Sequence, residues 1–375
     1  MRAAVLRERT PGEARVAAIP ATVTTMTGWG WNVAVEPGAG VGAGITDREF
    51  DEAGGAIRDN ALEDADVVLQ VGPPAPSLAA DLPSGSTIVG FLDPFVDAPL
   101  LRALAGASLS AMAVEAIPRT TLAQSMDALS SQANLAGYAA VLCGATASPR
   151  LLPMMVTAAG TIPPSRALIL GVGVAGLQAI ATARRLGAVV HAYDIRPETR
   201  EQVESLGAKF VAAPTTEADE GGYAREVEAD TQALQHEALA PFVADADLIV
   251  TTAQIPGRPA PLLITRSMVE AMHTGAVIVD MAAGTGGNVE GSAPDEVVDI
   301  DGVRVHGPTN LASAVAADAS RMYARNLTAL LQRATAEDGT LHLDLEDEII
   351  GGATVVHRGE VRHPRSLALL EGAGS

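Results

Sequence analysis

The sequence predicts an α/β protein: two doubly wound parallel-sheet domains with a cleft between them. Three observations predict it. Short runs of Val, Ile, Leu and Ala alternate with helix-like segments along the chain, the pattern of βα units. The alternation restarts near Ala167, after the rigid break TIPPS at 161–165. A length of 375 residues exceeds what one ordinary core takes up.

The first series reads as strands at Ala3–Leu6, Asn32–Val35, Asp66–Val71, Thr87–Phe91 and Leu109–Val114. Helices are expected at Pro20–Gly28, Thr46–Ala53 and Ala98–Gly106. The second series reads as Ala167–Leu170, Val189–Tyr193, Lys209–Ala212, Asp247–Thr251, Val277–Asp280 and Val303–His306. Six strands are what a full dinucleotide-binding sheet uses. A helical pattern at Leu311–Arg333 follows, and a tail reading as two short strands around Gly351-Gly352. The first domain is therefore expected to be discontinuous, 1–135 plus 310–375, with 136–309 as the second.

Hydrophobic residues make up 48% of the chain and charged residues 19%, so all of it can pack. Aromatics are 3%, so the core is aliphatic. A net charge of −20 repels nucleic acid and anionic lipid. The lone Cys143 permits no disulfide within the chain and reads as a core thiol, and the scattered histidines predict no metal site. No leader is expected from the charged start MRAAVLRERTPGE, and no stretch has the length of a membrane span.

The strand Leu168–Leu170 runs into Gly171-Val172-Gly173-Val174-Ala175-Gly176, and a helix follows. The first glycine permits a tight turn, the second lets backbone approach a pyrophosphate, and the third lets helix and strand pack closely. The helix N-terminus favours an anion. Asp194 ends the next strand, eighteen residues past Gly176, where a carboxylate receives the hydroxyls of the adenosine ribose. The domain is thus Rossmann-like and binds a dinucleotide over Gly171, Gly173 and Gly176, with Val174, Ile195 and Arg196 beside it. Asp194 repels a 2′-phosphate and favours NAD(H). Arg196 works against that preference and is expected along the adenine side.

The segment PRTTLAQSMDALSSQANLAGY at 118–138 gathers Arg, Gln, Asp, Ser and Asn after a strand end in an otherwise aliphatic chain. Such density suits directed hydrogen bonds to a carboxamide or ribose. It equally suits a helix start capped by Asp127 or Ser125. Chemistry alone leaves both readings open.

This block resembles the NAD(H)-binding domain I of proton-translocating nicotinamide nucleotide transhydrogenase, in the alanine dehydrogenase/transhydrogenase superfamily. RERTPGEARVA (7–17), DEGGYARE (219–226), TTAQIPGRPAP (251–261) and VDMAAGTGGNVE (279–290) are similar to the same family, so the resemblance spans nearly the whole chain. It implies a dimeric, two-domain protein with NAD(H) in the interdomain cleft. It also implies that Arg119, Gln124 and Asp127 hold the nicotinamide for hydride transfer. Ser125, Met126, Ser130 and Gln254 would be further contacts, and Gly222 and Tyr223 would belong to a mobile loop. Leu122 stands where relatives often carry a second arginine, which puts a secondary contact in doubt.

The implied role is half an enzyme. This subunit presents NADH, a beta subunit (domain III) presents NADP(H), and membrane subunits couple the transfer to proton movement. No membrane helix lies on this chain, so the expected place is cytoplasmic, peripheral to the inner membrane through those partners. The alternative is a soluble NAD-dependent alanine dehydrogenase. That chemistry needs a proton-transfer group and a cation for the substrate carboxylate. Relatives that perform it carry a lysine and a histidine where this chain reads LQVGP (69–73) and GFLDP (90–94). A non-catalytic NAD(H) sensor is a third reading, without supporting features.

Overall fold

The computed structural model describes residues 1–212, 229–255 and 258–372. The chain opens with β1 (Arg2–Val5), α1 (Pro20–Gly28), β2 (Asn32–Val35), α2 (Asp47–Glu52), β3 (Gly55–Ile57), β4 (Val67–Leu69), β5 (Thr87–Gly90), α3 (Ala98–Gly106) and β6 (Ser110–Ala113). α4 (Ala128–Ala147) and the hairpin β7 (Met155–Thr157) and β8 (Gly160–Ile162) follow. Next come β9 (Arg166–Leu170), α5 (Val174–Arg185), β10 (Val189–Tyr193), α6 (Thr199–Ser205), β11 (Lys209–Val211), α7 (Ala229–Ala244) and β12 (Leu248–Thr251). α8 (Arg266–Glu270), β13 (Val277–Asp280), β14 (Val297–Ile300) and β15 (Val303–His306) complete that series. The chain ends with α9 (Ala316–Ala334), α10 (Glu348–Ala353), β16 (Thr354–His357), β17 (Glu360–Val361) and α11 (Pro364–Gly372).

Two compact units result: Met1–Gln132 with Ala312–Ser375, and Ala133–Leu311. The first holds a sheet of order β17-β16-β6-β5-β4-β1-β2-β3, the second one of order β11-β10-β9-β12-β13-β15-β14. In each, the parallel strands run outward both ways from the first strand of the series, so the order reverses between β1 and β4 and between β9 and β12. Such reversal points open a crevice at the carboxyl ends of the strands.

Alternate residues of each strand enter different cores. Ile169, Val190, Val250 and Val279 pack on one face of the second sheet, Leu168, Leu170, Ile249 and Ile278 on the other. Val5, Val67, Leu69 and Val89 divide in the same way from Ala4, Val68 and Ile88 in the first. Both faces are covered, which is why these strands are uninterrupted aliphatic runs.

The sheets are mixed rather than purely parallel. β14 pairs antiparallel with β15, and β16 antiparallel with β6 and β17. β3 and β14 escaped the sequence reading: one is three residues long and begins at a glycine, and the other is half exposed. The tail departs from expectation too. Gly351 and Gly352 lie inside α10, and the two strands follow that helix. Asp347 caps it by accepting from the Ile349 and Ile350 amides at 3.0 and 2.9 Å, which offsets the poor helix propensity of paired glycines. The long helix starts later than expected, because Leu311–Val315 is a 3-10 turn before α9.

α4 and α5 meet through a glycine. A Cβ at Gly137 would stand 2.1 Å from the Ala175 carbonyl oxygen, at the first turn of α5. Gly137→Ala is expected to lower stability by about 1–3 kcal/mol through overpacking. Gly106→Ala, where a Cβ meets nothing within 4 Å, should be neutral or slightly stabilising. Denaturant midpoints of the two variants check this; equal midpoints would contradict it.

Candidate functional site

In the second unit, β9, β10 and β12 end level, with Leu170 opposite Tyr193 and Thr251. The residues that follow, Gly171, Asp194 and Thr252, therefore share one edge of the sheet. Gly171 has φ +94°, and a Cβ there would fall 2.6 Å from Thr252 Oγ1. A Cβ at Gly176 would fall 1.9 Å from the Gly171 carbonyl oxygen. Gly173 differs: a Cβ there would meet no atom of the chain within 4 Å. Internal packing does not demand that glycine, whereas a backbone approached by a ligand does. Gly173 begins α5 without any side-chain cap, so the helix offers unsatisfied N–H groups and its positive end to an anion. Val174, next in line, is exposed.

Asp194 is 7% exposed and closes the glycine turn. Its Oδ2 accepts from the Val172 amide at 2.7 Å. Arg196 grips the same carboxylate. Its amide and Nε donate to Oδ1 at 2.9 Å, and its Nη2 donates to Oδ2 at 2.9 Å. Arg196 is thus held by Asp194. Ile195 between them is half-buried against the second core.

Thr252, which sequence reasoning missed, donates from Oγ1 to the Gly171 carbonyl at 3.0 Å. Exposed Gln254 donates to the Met281 carbonyl at 3.1 Å. Behind it, fully buried Asp280 accepts from Thr251 Oγ1 and the Ala282, Asn288 and Val289 amides at 2.8–3.2 Å. Asn288 in turn bonds Ala253 and Pro261 through its side chain. Asp280 is a loop anchor more than the turn cap its position suggests. Gly222 and Tyr223 lie outside the described residues.

In the first unit, Thr121–Met126 forms a 3-10 turn before α4. Arg119, Gln124 and Ser125 are exposed, Met126 is buried, and Asp127 and Ser130 are half-buried. The capping reading of Asp127 is realised: it accepts from the Ser130 amide at 2.8 Å and from Ser130 Oγ at 2.6 Å. Two of its four acceptor positions remain for other donors. α9 pins this segment. Asn326 donates to the Ser125 carbonyl at 2.8 Å and accepts from Ser131 Oγ at 2.7 Å. Gln132 donates to the Ala319 carbonyl at 3.1 Å and accepts from Arg15 at 2.9 Å. Asn326 was missed, although a polar residue at a buried position of the amphipathic α9 was the available signal.

The carboxyl edge of the first sheet holds acids that the sequence reading passed over, Glu8 at the reversal point between β1 and β4 and Glu115 after β6. Glu8 accepts from the Val71 and Gly72 amides at 2.6 and 3.4 Å, and burial raises its pKa to about 7. Glu115 takes the Leu92 and Asp93 amides on Oε1, both at 2.8 Å, while its buried Oε2 has no partner. Burial raises Glu115 to about 7 as well. Tyr323 lies within the field of both and donates to the Gln70 carbonyl at 2.9 Å. Phe91 stacks on the Tyr323 ring. Arg15 is taken up by Glu13 in an ion pair of 2.6 Å. Cys143 is half-buried and its thiol is pushed up by desolvation, which suits a packing role. Among the described residues no group of three or more His, Cys, Asp and Glu could hold a metal ion, and no helix is long and apolar enough to cross a membrane.

Comparison with known proteins places this geometry in a family. A model described as the N-terminal domain of alanine dehydrogenase/PNT matches residues 4–136, and its C-terminal counterpart matches 140–364. The chain belongs to the alanine dehydrogenase/PNT family. Within that family, an NAD(P) transhydrogenase subunit alpha chain of Rhodospirillum rubrum is 47% identical over 97% of this chain and 98% of its own length. A transhydrogenase structure from Sinorhizobium meliloti superposes with a TM-score of 0.88 at 44% identity, covering 96% of this chain and all of the other. The alanine dehydrogenase of Halomonas elongata is 28% identical over 97% of this chain and 95% of its own. Sequence similarity therefore runs closer to the transhydrogenase branch of the family than to alanine dehydrogenase.

The raised pKa of Glu115 carries a prediction about stability. The folded acid keeps its proton up to about pH 7, whereas its ordinary value is 4.5. Between those values the native state binds more protons than the unfolded one, so stability falls as pH rises. Glu115→Gln, neutral throughout, should melt higher relative to the parent at pH 8 than at pH 5. A difference that stays constant between those pH values would contradict the assignment.

Proposed function

We propose that this chain is the NAD(H)-binding subunit of a proton-translocating NAD(P) transhydrogenase. In this reading it presents NADH for direct hydride transfer to NADP⁺ on a beta subunit, and membrane subunits couple the step to proton movement. The observation that carries the reading is the glycine turn closed by Asp194, in a chain related over nearly its whole length to a transhydrogenase subunit. The complex would sit at the cytoplasmic membrane, with this subunit peripheral to it. The subunit would work as a homodimer, and Met155, Val156 and Ile162 on the hairpin offer exposed apolar surface for a second copy.

NADH supplies the hydride. The chain's own work is then binding, orientation and exclusion of water. Gly171, Gly173 and Gly176, with the first turn of α5, would seat the pyrophosphate. Asp194, flanked by Val174, Ile195 and Arg196, would receive the adenosine ribose. Arg119, Gln124 and Asp127 would hold the nicotinamide, assisted by Ser125, Met126, Ser130 and Gln254. Such a transfer needs no acid–base group. That agrees with Gln70 and Phe91, neither of which titrates near neutrality, at the positions where alanine dehydrogenase chemistry asks for lysine and histidine. Arg15, the cation left for a substrate carboxylate, is already paired with Glu13.

The test mixes the purified chain with an NADP(H)-loaded partner subunit, adds an NAD analogue and follows reduction optically, beside an L-alanine-plus-NAD control. Transfer that depends on the partner supports the proposal; reduction of NAD by alanine alone overturns it. In the same assay Gln124→Asn should lower the transfer rate by at least about tenfold while NADH affinity stays within about twofold, because shortening the side chain moves its amide by a bond length. An unchanged rate would remove Gln124 from the positioning role. Titration should show NADH binding in preference to NADPH; equal affinities would remove Asp194 from the discriminating role.

A further inference from the structure

The carboxylate of Asp194 has no acceptor position left over. A carboxylate offers about four lone-pair positions. Here four donors fill them: the Val172 amide and Arg196 Nη2 on Oδ2, and the Arg196 amide and Nε on Oδ1. Two of these donors are backbone amides fixed by the turn. The other two belong to the guanidinium fork, which takes one position on each oxygen and sends a weaker bond from Nη2 to the Val172 carbonyl at 3.3 Å. The Asp194 side chain is 7% exposed and that of Arg196 19%, so of the pair Arg196 is the more open to solvent or a ligand.

A ribose diol asks for what the fork occupies. Its adjacent hydroxyls are two neighbouring donors that need one acceptor position on each oxygen of a carboxylate. We propose that the Arg196 fork is a built-in competitor for the ribose-binding face of Asp194, displaced when NAD(H) binds, and that it sets the discrimination between NADH and NADPH. The proposal rests on the NAD(H) reading above. The fork opposes NADH, because the ribose gains its hydrogen bonds only as charge-assisted ones are given up. It assists NADPH, because the cation offsets the repulsion between Asp194 and a 2′-phosphate, which has no hydrogen to donate. Specificity is a difference between two affinities, and one side chain here moves both in opposite directions.

The test compares the full-length chain with Arg196→Gln and Arg196→Lys, titrating NADH, NADPH and 2′-deoxyadenosine NADH by nucleotide fluorescence. Arg196→Gln should raise the ratio of NADH to NADPH affinity by about tenfold or more, the scale of a hydrogen bond to a charged group. The affinity lost with the 2′-hydroxyl should be larger in Arg196→Gln than in the parent. Arg196→Lys, which keeps a point charge without the planar fork, should move both quantities the same way but less. An unchanged ratio with an unchanged 2′-deoxy penalty overturns the proposal, as does equal weakening of NADH and NADPH. Saturable NADH binding in the parent keeps the two levels apart: without it the nucleotide reading itself fails, and with it only the role of Arg196 is at stake. Thermal melts of the Lys variant guard against a folding defect in the Gln variant.

Discussion

Residue 176 has to be a glycine because the Gly171 carbonyl oxygen lies where its Cβ would be, 1.9 Å away. That one close approach seats α5 on the end of β9, and the rest of the nucleotide edge follows from it. Seated there, α5 starts without a side-chain cap and turns its free amides outward. Thr252 can then reach the Gly171 carbonyl, and Asp194 the Val172 amide. The turn is fixed from two neighbouring strands before any ligand arrives, and a preformed site spares the entropy of ordering a loop on binding.

The residues proposed to hold the nicotinamide depend on a different kind of support. Gln124 and Ser125 sit on a 3-10 turn and Arg119 just before it, which by itself is a weak scaffold. Its rigidity comes from behind, through Asn326 on the Ser125 carbonyl, the Asp127 cap on α4, and Gln132 tied to both α9 and Arg15. A long amphipathic helix far along the chain thus holds a short turn near residue 124. Asp280 and Asn288 do the equivalent for the loops after β12 and β13.

The parts of the fold written in local pattern were legible. Aliphatic runs buried on both faces announced the parallel strands, and the spacing of Gly171, Gly173 and Gly176 announced the turn. What local pattern does not encode was missed. β3 and β14 are short and partly exposed, so pairing at a sheet edge rather than hydrophobic period defines them. Gly351-Gly352 reads as a turn, but the Asp347 cap makes it helix. Asn326 and Gly137 act through contacts remote in sequence, invisible without the fold. Arg196 was read for its charge alone, and only geometry shows the guanidinium spent on its neighbour two residues away. Glu8 and Glu115 drew no reading from the sequence, because their burial comes from the sheet and not from local pattern.

In the proposed function, with no titrating side chain at Gln70 or Phe91 and Arg15 paired with Glu13, the contribution of the enzyme is placement. The most direct measurement of that claim is the fate of isotope. NADH carrying deuterium at the transferred C4 position is mixed with the chain and an NADP⁺-loaded partner subunit in ordinary water, and the NADPH formed is analysed by mass. Direct transfer predicts that the deuterium arrives in NADPH undiluted. Loss of the label to solvent would mean that a protein group or an intermediate carrier handles the hydrogen, and the account would be wrong at its centre.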